Sequence, residues 1–303
     1  MLRTFASREF PPERILPAKR GRQVAVCIPA LNEGGTIGEM VERIRTELVE
    51  RFAVVDELVV IDDGSTDNTA AEASAAGATV VRAETVLPEY GVDHGKGQAM
   101  WRGVHVTHSD VVAFLDADVK EFDPGFVLGL VGPLLTREDV NAVKGFYDRP
   151  LHGRIGEGGR VTELMARPLI SLFFPHLSGL HQPLAGEFAA RRDVLEAVPF
   201  IGGYGVDLGL LVDITEAFGR NGLVQCDLGT RVHRNRPLSD LGVQALAILQ
   251  AALQRAGLGD LDSQDSAAFG WTAQLLRPGL EPAPVSFTER PPLAEVPAHR
   301  KTA

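Results

Sequence analysis

Asp116 and Asp118 stand one residue apart at the end of the apolar run Val111-Val112-Ala113-Phe114-Leu115. Two carboxylates at the mouth of a buried strand suit a divalent cation, because Mg2+ takes oxygen ligands and keeps several waters. Such a cation could hold a diphosphate, which selects transfer from a nucleotide-activated donor as the chemistry. The plain alternative is a solvated strand end. His233, in the basic run Arg231-Val232-His233-Arg234-Asn235-Arg236-Pro237, could add a nitrogen ligand, which also suits Mn2+. By spacing alone it is equally a surface histidine among arginines. Lys96 lies in Gly95-Lys96-Gly97 ahead of a helix, and Arg160 and Thr162 lie in Gly158-Gly159-Arg160-Val161-Thr162 ahead of another. Glycines that admit close backbone approach, a helix N-terminus and a cation together favour anions. An exposed turn lysine and a loop-to-helix junction are the plain readings. With Arg231, Asn235 and Arg236 the Arg160 segment makes a candidate second anion site.

The elements that must carry these residues follow from apolar periodicity. Val24–Ile28 is a continuous apolar run, as expected of a strand covered on both faces. Pro29 to Gly35 reads as a loop. Thr36 and Glu39 have capping-box spacing, ahead of Ile37, Met40, Val41, Ile44 and Leu48 at helical intervals. Leu58–Ile61 is a strand that ends in Asp62-Asp63-Gly64-Ser65, Thr79–Val81 is a short strand, and Val111–Leu115 carries the Asp pair. Strand and helix alternate over residues 24–118, which predicts an α/β fold with a mostly parallel sheet. Ligands of such sheets bind at the carboxyl ends of the strands. Three polar loops fall there: Pro29–Glu33, Asp62–Ser65 and Asp116–Asp118.

The second half reads as a strand over Ala142–Tyr147, a helix from Arg160 to Phe174, and an apolar helix from Leu208 to Phe218. A strand over Leu223–Leu228 and an amphipathic helix over 241–256 follow. Glu187 and Asp207 each read as carboxylates at helix starts, placed to cap a helix or to orient a hydroxyl. The expected division is an arm over 1–22, a first half over 23–138, a second half over 139–258 and a Pro-rich irregular tail over 259–303.

Composition bounds the function. The chain has 303 residues, 45% hydrophobic and 23% charged, with a net charge of −10. An acidic chain of this kind lacks the basic face that a phosphate backbone needs, so no nucleic-acid partner is expected. The N-terminus has no apolar signal core and no run reaches membrane-spanning length, so a cytoplasmic protein without a membrane partner is expected. Cys27 and Cys226 lie in apolar runs and read as buried reduced thiols.

Pro29-Ala30-Leu31-Asn32-Glu33, Asp62-Asp63-Gly64-Ser65-Thr66-Asp67 and Asp116-Ala117-Asp118 resemble the donor half of GT-A glycosyltransferases. Gly158-Gly159-Arg160-Val161-Thr162, Tyr204-Gly205-Val206-Asp207 and Arg231-Val232-His233-Arg234-Asn235-Arg236-Pro237-Leu238 narrow the likeness. They resemble the actinobacterial glucosyl-3-phosphoglycerate synthases and their mannosyl-3-phosphoglycerate relatives. The resemblance runs from about residue 22 to 240 and returns near Arg290-Pro291-Pro292. It implies a Rossmann-like mostly parallel sheet with an acceptor-binding C-terminal half. The implied reaction moves a hexose, with retention, from a nucleoside-diphosphate sugar to the 2-hydroxyl of 3-phosphoglycerate, with Mg2+ (or Mn2+), in a homodimer. It places Pro29, Ala30, Leu31, Glu33 and Asp63 around the base, Lys96 near the diphosphate, and Asp116 and Ala117 on the donor. Asp118 and His233 would ligate the metal. Gly159, Arg160, Val161, Thr162, Tyr204, Arg231 and Asn235 would hold the acceptor, and Asp116, Asp118, Glu187 and Asp207 are the candidate catalytic carboxylates.

This chain departs from the mycobacterial glucosyl enzymes in two places. It has Asp62-Asp63-Gly-Ser where they read Asp-Ser-Gly-Ser, and Asp207 where they read Glu. The first change bears on the base and the second on the sugar or acceptor pocket, so UDP or GDP, and glucose or mannose, stay open. No nucleophile is identified, and the same-face route, in which the departing phosphate takes the acceptor proton, is favoured. Three rivals remain. A polyprenyl-phosphate hexosyltransferase would need a membrane-facing element. A sugar-nucleotide pyrophosphorylase would need a basic Gly-rich loop where Pro-Ala-Leu-Asn-Glu stands. A non-catalytic sugar-nucleotide sensor would have no use for both carboxylates, His233 and the second anion cluster.

Overall fold

Alternate residues of the second strand divide between two cores, and this defines the molecule. In a computed structural model that describes residues 2–148, 159–231, 238–258, 270–277 and 280–300, β1 is Thr4–Ala6 and β2 is Val24–Ala30. Val24, Val26 and Ile28 of β2 face one core, and Ala25 and Cys27 face the other. That is why the run is continuously apolar. β3 (Glu57–Asp62), β4 (Thr79–Arg82), β5 (Val111–Phe114), β6 (Ala142–Asp148), β7 (Phe188–Arg191), β8 (Phe200–Ile201) and β9 (Leu223–Thr230) follow. All but β8 join one sheet in the order β1-β9-β6-β7-β5-β2-β3-β4. Every pairing is parallel except those of β7, which runs antiparallel to both β5 and β6.

Helices cover both faces. α1 (Pro12–Lys19), α2 (Ile37–Ile44), α3 (Thr69–Ala75) and α5 (Gly125–Thr136) pack on the Val26 side. α4 (Lys96–Val106), α6 (Arg167–Phe173), α7 (Arg192–Glu196), α8 (Val206–Phe218) and α9 (Leu238–Arg255) pack on the Cys27 side. A Cβ on Gly103 would lie 2.3 Å from Cys27 Sγ, so glycine lets α4 rest directly on β2. Both cysteines are buried and free, as expected. No described helix is long and apolar enough to cross a membrane.

Five details differ from the sequence reading. Residues 1–22 are no loose arm, because Thr4–Ala6 pairs with β9 at the sheet edge and α1 packs beneath α5. The tail is not irregular over its described residues: β10 (Gly270–Arg277) and β11 (Leu280–Arg290) form an antiparallel pair, and β11 ends beside β8. Pro282 and Pro284 suggested a loop, but along that stretch β11 has one neighbour, so prolines can face the open side. β2 continues through Pro29 and Ala30, which pair with Ile61 and Asp62. The β5 ladder ends at Cys27, so the missing Pro29 N–H costs no bond there. The capping box at Thr36 does not form; its hydroxyl donates to Ala117 O at 2.7 Å instead. Glu187 precedes strand β7 rather than a helix, since Phe188–Arg191 is captured between β5 and β6.

Candidate active site

Three strand-end loops meet at the carboxyl end of the sheet, and backbone amides tie them together. Asn32 takes a φ of 57°, the left-handed region that asparagine tolerates. Its N–H donates to Ser65 Oγ at 3.0 Å, and its Oδ1 accepts from Thr66 N–H at 2.8 Å. Glu33 N–H reaches Thr69 Oγ1 at 2.8 Å, and Gly34 N–H reaches Asp67 Oδ2 at 3.1 Å. The Thr36 hydroxyl on Ala117 O joins this pair to the Asp116–Asp118 loop. Pro29 and Ala30 thus end a strand, Leu31 stands exposed, and Glu33 is half-buried. Asp63 is buried behind them, where its Oδ2 accepts Gly95 N–H at 2.6 Å and its Oδ1 lies 3.4 Å from His94 Nδ1. Burial pushes the Asp63 carboxyl up, against the Gly95 amide and His94.

Beside these loops lies a cluster of opposed charges. Lys96, the first residue of α4, places Nζ 3.0 Å from Asp116 Oδ1 and 3.1 Å from Asp207 Oδ2. The exposed turn lysine is excluded. Burial alone would lower this ammonium, but the two carboxylates outweigh it and hold Lys96 above the lysine range. Asp207, in the first turn of α8, also meets Lys144 of β6, with Nζ at 3.5 Å. Lys144 is 2% exposed, and burial depresses its ammonium while Asp207 opposes the shift. Arg231 follows β9. One of its terminal nitrogens donates to Glu187 Oε1 at 2.7 Å, Tyr147 Oη at 2.5 Å and Asp116 Oδ2 at 3.2 Å. The other donates to Asp118 Oδ1. Burial works against the charge on Asp116, yet Lys96 and Arg231 hold its carboxyl well below the usual range. A Cβ on Gly186 would lie 1.9 Å from Asp116 Oδ1, so only glycine lets the segment before β7 approach the pair.

Asp116, Asp118, Glu187, Asp207, Lys96 and Arg231 therefore converge from five elements. Arg231 was expected with the acceptor residues, and its guanidinium is instead held by the carboxylate cluster. Gly159 to Thr162 open the helix that continues as α6, with Thr162 buried and Arg160 and Val161 half-buried. The stretch Thr162–Ala166 and the turn Gly203–Gly205, which carries half-buried Tyr204, both pack against α9. That places two of the acceptor candidates along one helix. His233 and Asn235 lie outside the described residues. Among the described residues no three His, Cys, Asp or Glu side chains are grouped to hold a metal. Asp116 and Asp118 supply the oxygen donors that a hard divalent ion takes, but Arg231 bridges the two carboxylates, so a cation there would share their oxygens with the guanidinium.

Sequence reasoning missed Lys144, Tyr147 and His94. A lysine within the apolar strand Ala142–Tyr147 was the available signal, because lysine is rarely buried unless paired.

Fold and site together define a GT-A type glycosyltransferase, and the model of Glycosyl transferase family 2 matches residues 25–196. More narrowly, the chain belongs to the glucosyl-3-phosphoglycerate synthase family. It is 46% identical over 284 residues to the glucosyl-3-phosphoglycerate synthase of Mycolicibacterium smegmatis, covering 91% of this chain and 90% of that one. The crystal structure of glucosyl-3-phosphoglycerate synthase from Mycobacterium tuberculosis in complex with Mn2+, UDP-glucose and phosphoglyceric acid superposes with a TM-score of 0.85. It is 42% identical and covers 96% of this chain and 98% of that one. A complex of the same enzyme with Mg2+ and UDP has a TM-score of 0.82 at 41% identity, with the same coverage.

Proposed function

We propose that the protein transfers glucose from UDP-glucose to the 2-hydroxyl of 3-phosphoglycerate with retention, giving glucosyl-3-phosphoglycerate. The observation that carries this reading is the placement of Lys96 against Asp116 and Asp207, at the carboxyl end of β5. Pro29, Ala30, Leu31, Glu33 and Asp63 take the base, and Asp116 and Ala117 take the ribose side. Lys96 supplies a point charge to the diphosphate. Uracil rather than guanine follows from the nucleotides bound by the relatives, whose crystal complexes hold UDP-glucose and UDP. Glucose rather than mannose follows from the named activity of the relatives.

A divalent cation held by Asp118 and His233 would supply Lewis-acid stabilisation to the leaving diphosphate. Gly159, Arg160, Val161, Thr162, Tyr204 and Asn235 hold the acceptor. Arg160 gives its phosphate or carboxylate a bidentate partner. Arg231 orients Asp116, Asp118 and Glu187 rather than binding acceptor directly.

The carboxylates bear on the mechanism. Glu187 is fully buried and paired with Arg231, Asp116 is held by Lys96 and Arg231, and Asp207 is held by two lysines. Carboxylates so neutralised make poor nucleophiles, which supports the same-face route. The bond from the anomeric carbon to the phosphate oxygen breaks, the bond to O2 of the acceptor forms, and the O2 proton passes to the departing phosphate.

Residues 23–138 serve the donor and 139–258 the acceptor, and the active form is a homodimer, to be checked by sedimentation equilibrium. The decisive assay supplies UDP-glucose, GDP-glucose and GDP-mannose with 3-phosphoglycerate and identifies the product. Turnover with GDP-mannose alone would overturn the assignment of base and sugar. Tight UDP binding without turnover of any donor would leave a sensor.

A further inference from the structure

The C-terminal hairpin ends on the part of the molecule that presents the donor residues. Arg290, the last residue of β11, is 7% exposed. Its Nε donates to Gln98 Oε1, and one terminal nitrogen donates to Asp93 Oδ2 at 3.0 Å. Gln98 lies two residues after Lys96 in α4, and Asp93 lies two residues before Gly95. One guanidinium from the far end of the chain therefore grips both sides of the segment that carries His94, Gly95 and Lys96. Gln98 is itself buried and donates to Thr288 Oγ1 of β11 at 2.8 Å. Trp101, buried in α4, donates from Nε1 to Pro291 O at 2.9 Å. β8 completes the attachment, since Gly202 N–H bonds Thr288 O at 2.7 Å and a Cβ on Gly97 would lie 1.9 Å from Ile201 O.

The gripped loop has few anchors of its own kind. Arg102 of α4 donates to the carbonyls of Val86, Gly91 and Asp93 at 3.2, 2.7 and 3.1 Å. Those bonds fix its backbone from beneath. The loop's outer side chains, Val92, Asp93 and His94, are exposed. Only the Arg290 contact restrains Asp93 through its side chain among the bonds described for it.

We propose that Arg290 is a positioning residue for the donor site, holding loop 91–95 so that Gly95 N–H and His94 face Asp63 and Lys96 faces the diphosphate. This rests on the donor-site reading above. The consequence is a division of labour along the chain: the hairpin after residue 270 sets donor affinity, although none of the bonds described for it reaches the strand-end loops that hold the donor. A hairpin that only stabilised the fold would affect donor and acceptor alike.

The test compares Asp93→Ala, Arg290→Lys and wild type in the full chain, with UDP binding by calorimetry in Mg2+ and both Michaelis constants. Asp93 is exposed, so its removal leaves the fold standing, whereas Arg290→Lys keeps the charge but cannot span Asp93 and Gln98. The expected result is a UDP Kd and a donor KM raised about fivefold in each variant, the scale of losing the order of a few side chains. KM for 3-phosphoglycerate and the melting temperature of Asp93→Ala stay at the wild-type values. Wild-type affinity for UDP in both variants, or an equal rise in both Michaelis constants, overturns the positioning role alone. Failure of the wild-type protein to bind UDP overturns the donor-site reading and this inference with it.

Discussion

Between Ala30 and Asp67 the polar loops are positioned chiefly by backbone amides bonded to side-chain oxygens, with Asn32, Glu33, Gly34 and Thr66 each tied to a neighbouring segment. Around Asp116 the side chains are held by charge: three cations and four carboxylates from β5, β6, β7, α4, α8 and the end of β9 fix one another. The two regions adjoin and differ in what a single loss does. In the loops, one deleted hydrogen bond removes about 1 kcal/mol and leaves its neighbours in place. In the cluster, deleting one charge strands its partners in a buried site, which costs about 3–5 kcal/mol. A single lost bond is therefore tolerable in the loops, while a change of charge in the cluster must be compensated.

Arg231→Met should break this contrast most sharply if it is wrong. The change leaves buried Glu187 beside Asp116 and Asp118 without their shared cation. Transfer should be lost, and urea unfolding should show a loss of about 3–5 kcal/mol. A loss below about 1 kcal/mol would mean that the carboxylates are positioned by something other than Arg231. Asp118→Ala comes next. Its side chain is 31% exposed, so the fold should survive by circular dichroism while metal-dependent transfer falls by at least ~100-fold. Full activity with Mg2+ or Mn2+ would remove Asp118 from the metal site. Arg160→Ala should act on one substrate only, raising KM for 3-phosphoglycerate by about tenfold through the lost charge-assisted pairing. An equal rise in the donor KM would move Arg160 out of the acceptor pocket.

The same contrast explains what the sequence made legible. Strands β2, β3 and β5 announce themselves as continuous apolar runs ending in polar residues, because strands of a sheet covered on both faces have no wet side. The loops that follow them were readable for the same reason. The cluster was readable only in part. Asp116 and Asp118 stand next to each other in sequence, but Lys144 and Arg231 come from strands whose neighbours are set by the topology, and a lone charge carries no address. Glu187 was read at a helix start because the reversed β7 is only four residues long. The hairpin after residue 270 was hidden by Pro282 and Pro284, although the alternation in Val285-Ser286-Phe287-Thr288 was a strand signal. Arg290 marks a long-range contact that this miss hid, since its partners Asp93 and Gln98 lie nearly two hundred residues earlier.

Asp63→Asn should give the smallest effect, and it probes the loop side of the comparison. The asparagine Oδ1 can still accept Gly95 N–H, so the loop keeps its backbone tie. What disappears is a buried carboxyl whose folded pKa lies above its ordinary value of 3.8, chiefly through burial. For such a group the unfolded chain gives up its proton at lower pH than the folded one. The linked stability is fully present below 3.8 and is lost as pH rises through the raised folded value. Wild type should therefore lose ground to Asp63→Asn as pH climbs from the acid range, and the difference should level off once Asp63 is ionised in both states. Urea unfolding of the two proteins at a series of pH values reads this directly. A wild-type advantage that grows with pH would mean that the Gly95 amide and His94 outweigh burial. Asp63 would then be held as a stabilised anion, like Asp116, and the two regions would obey one rule.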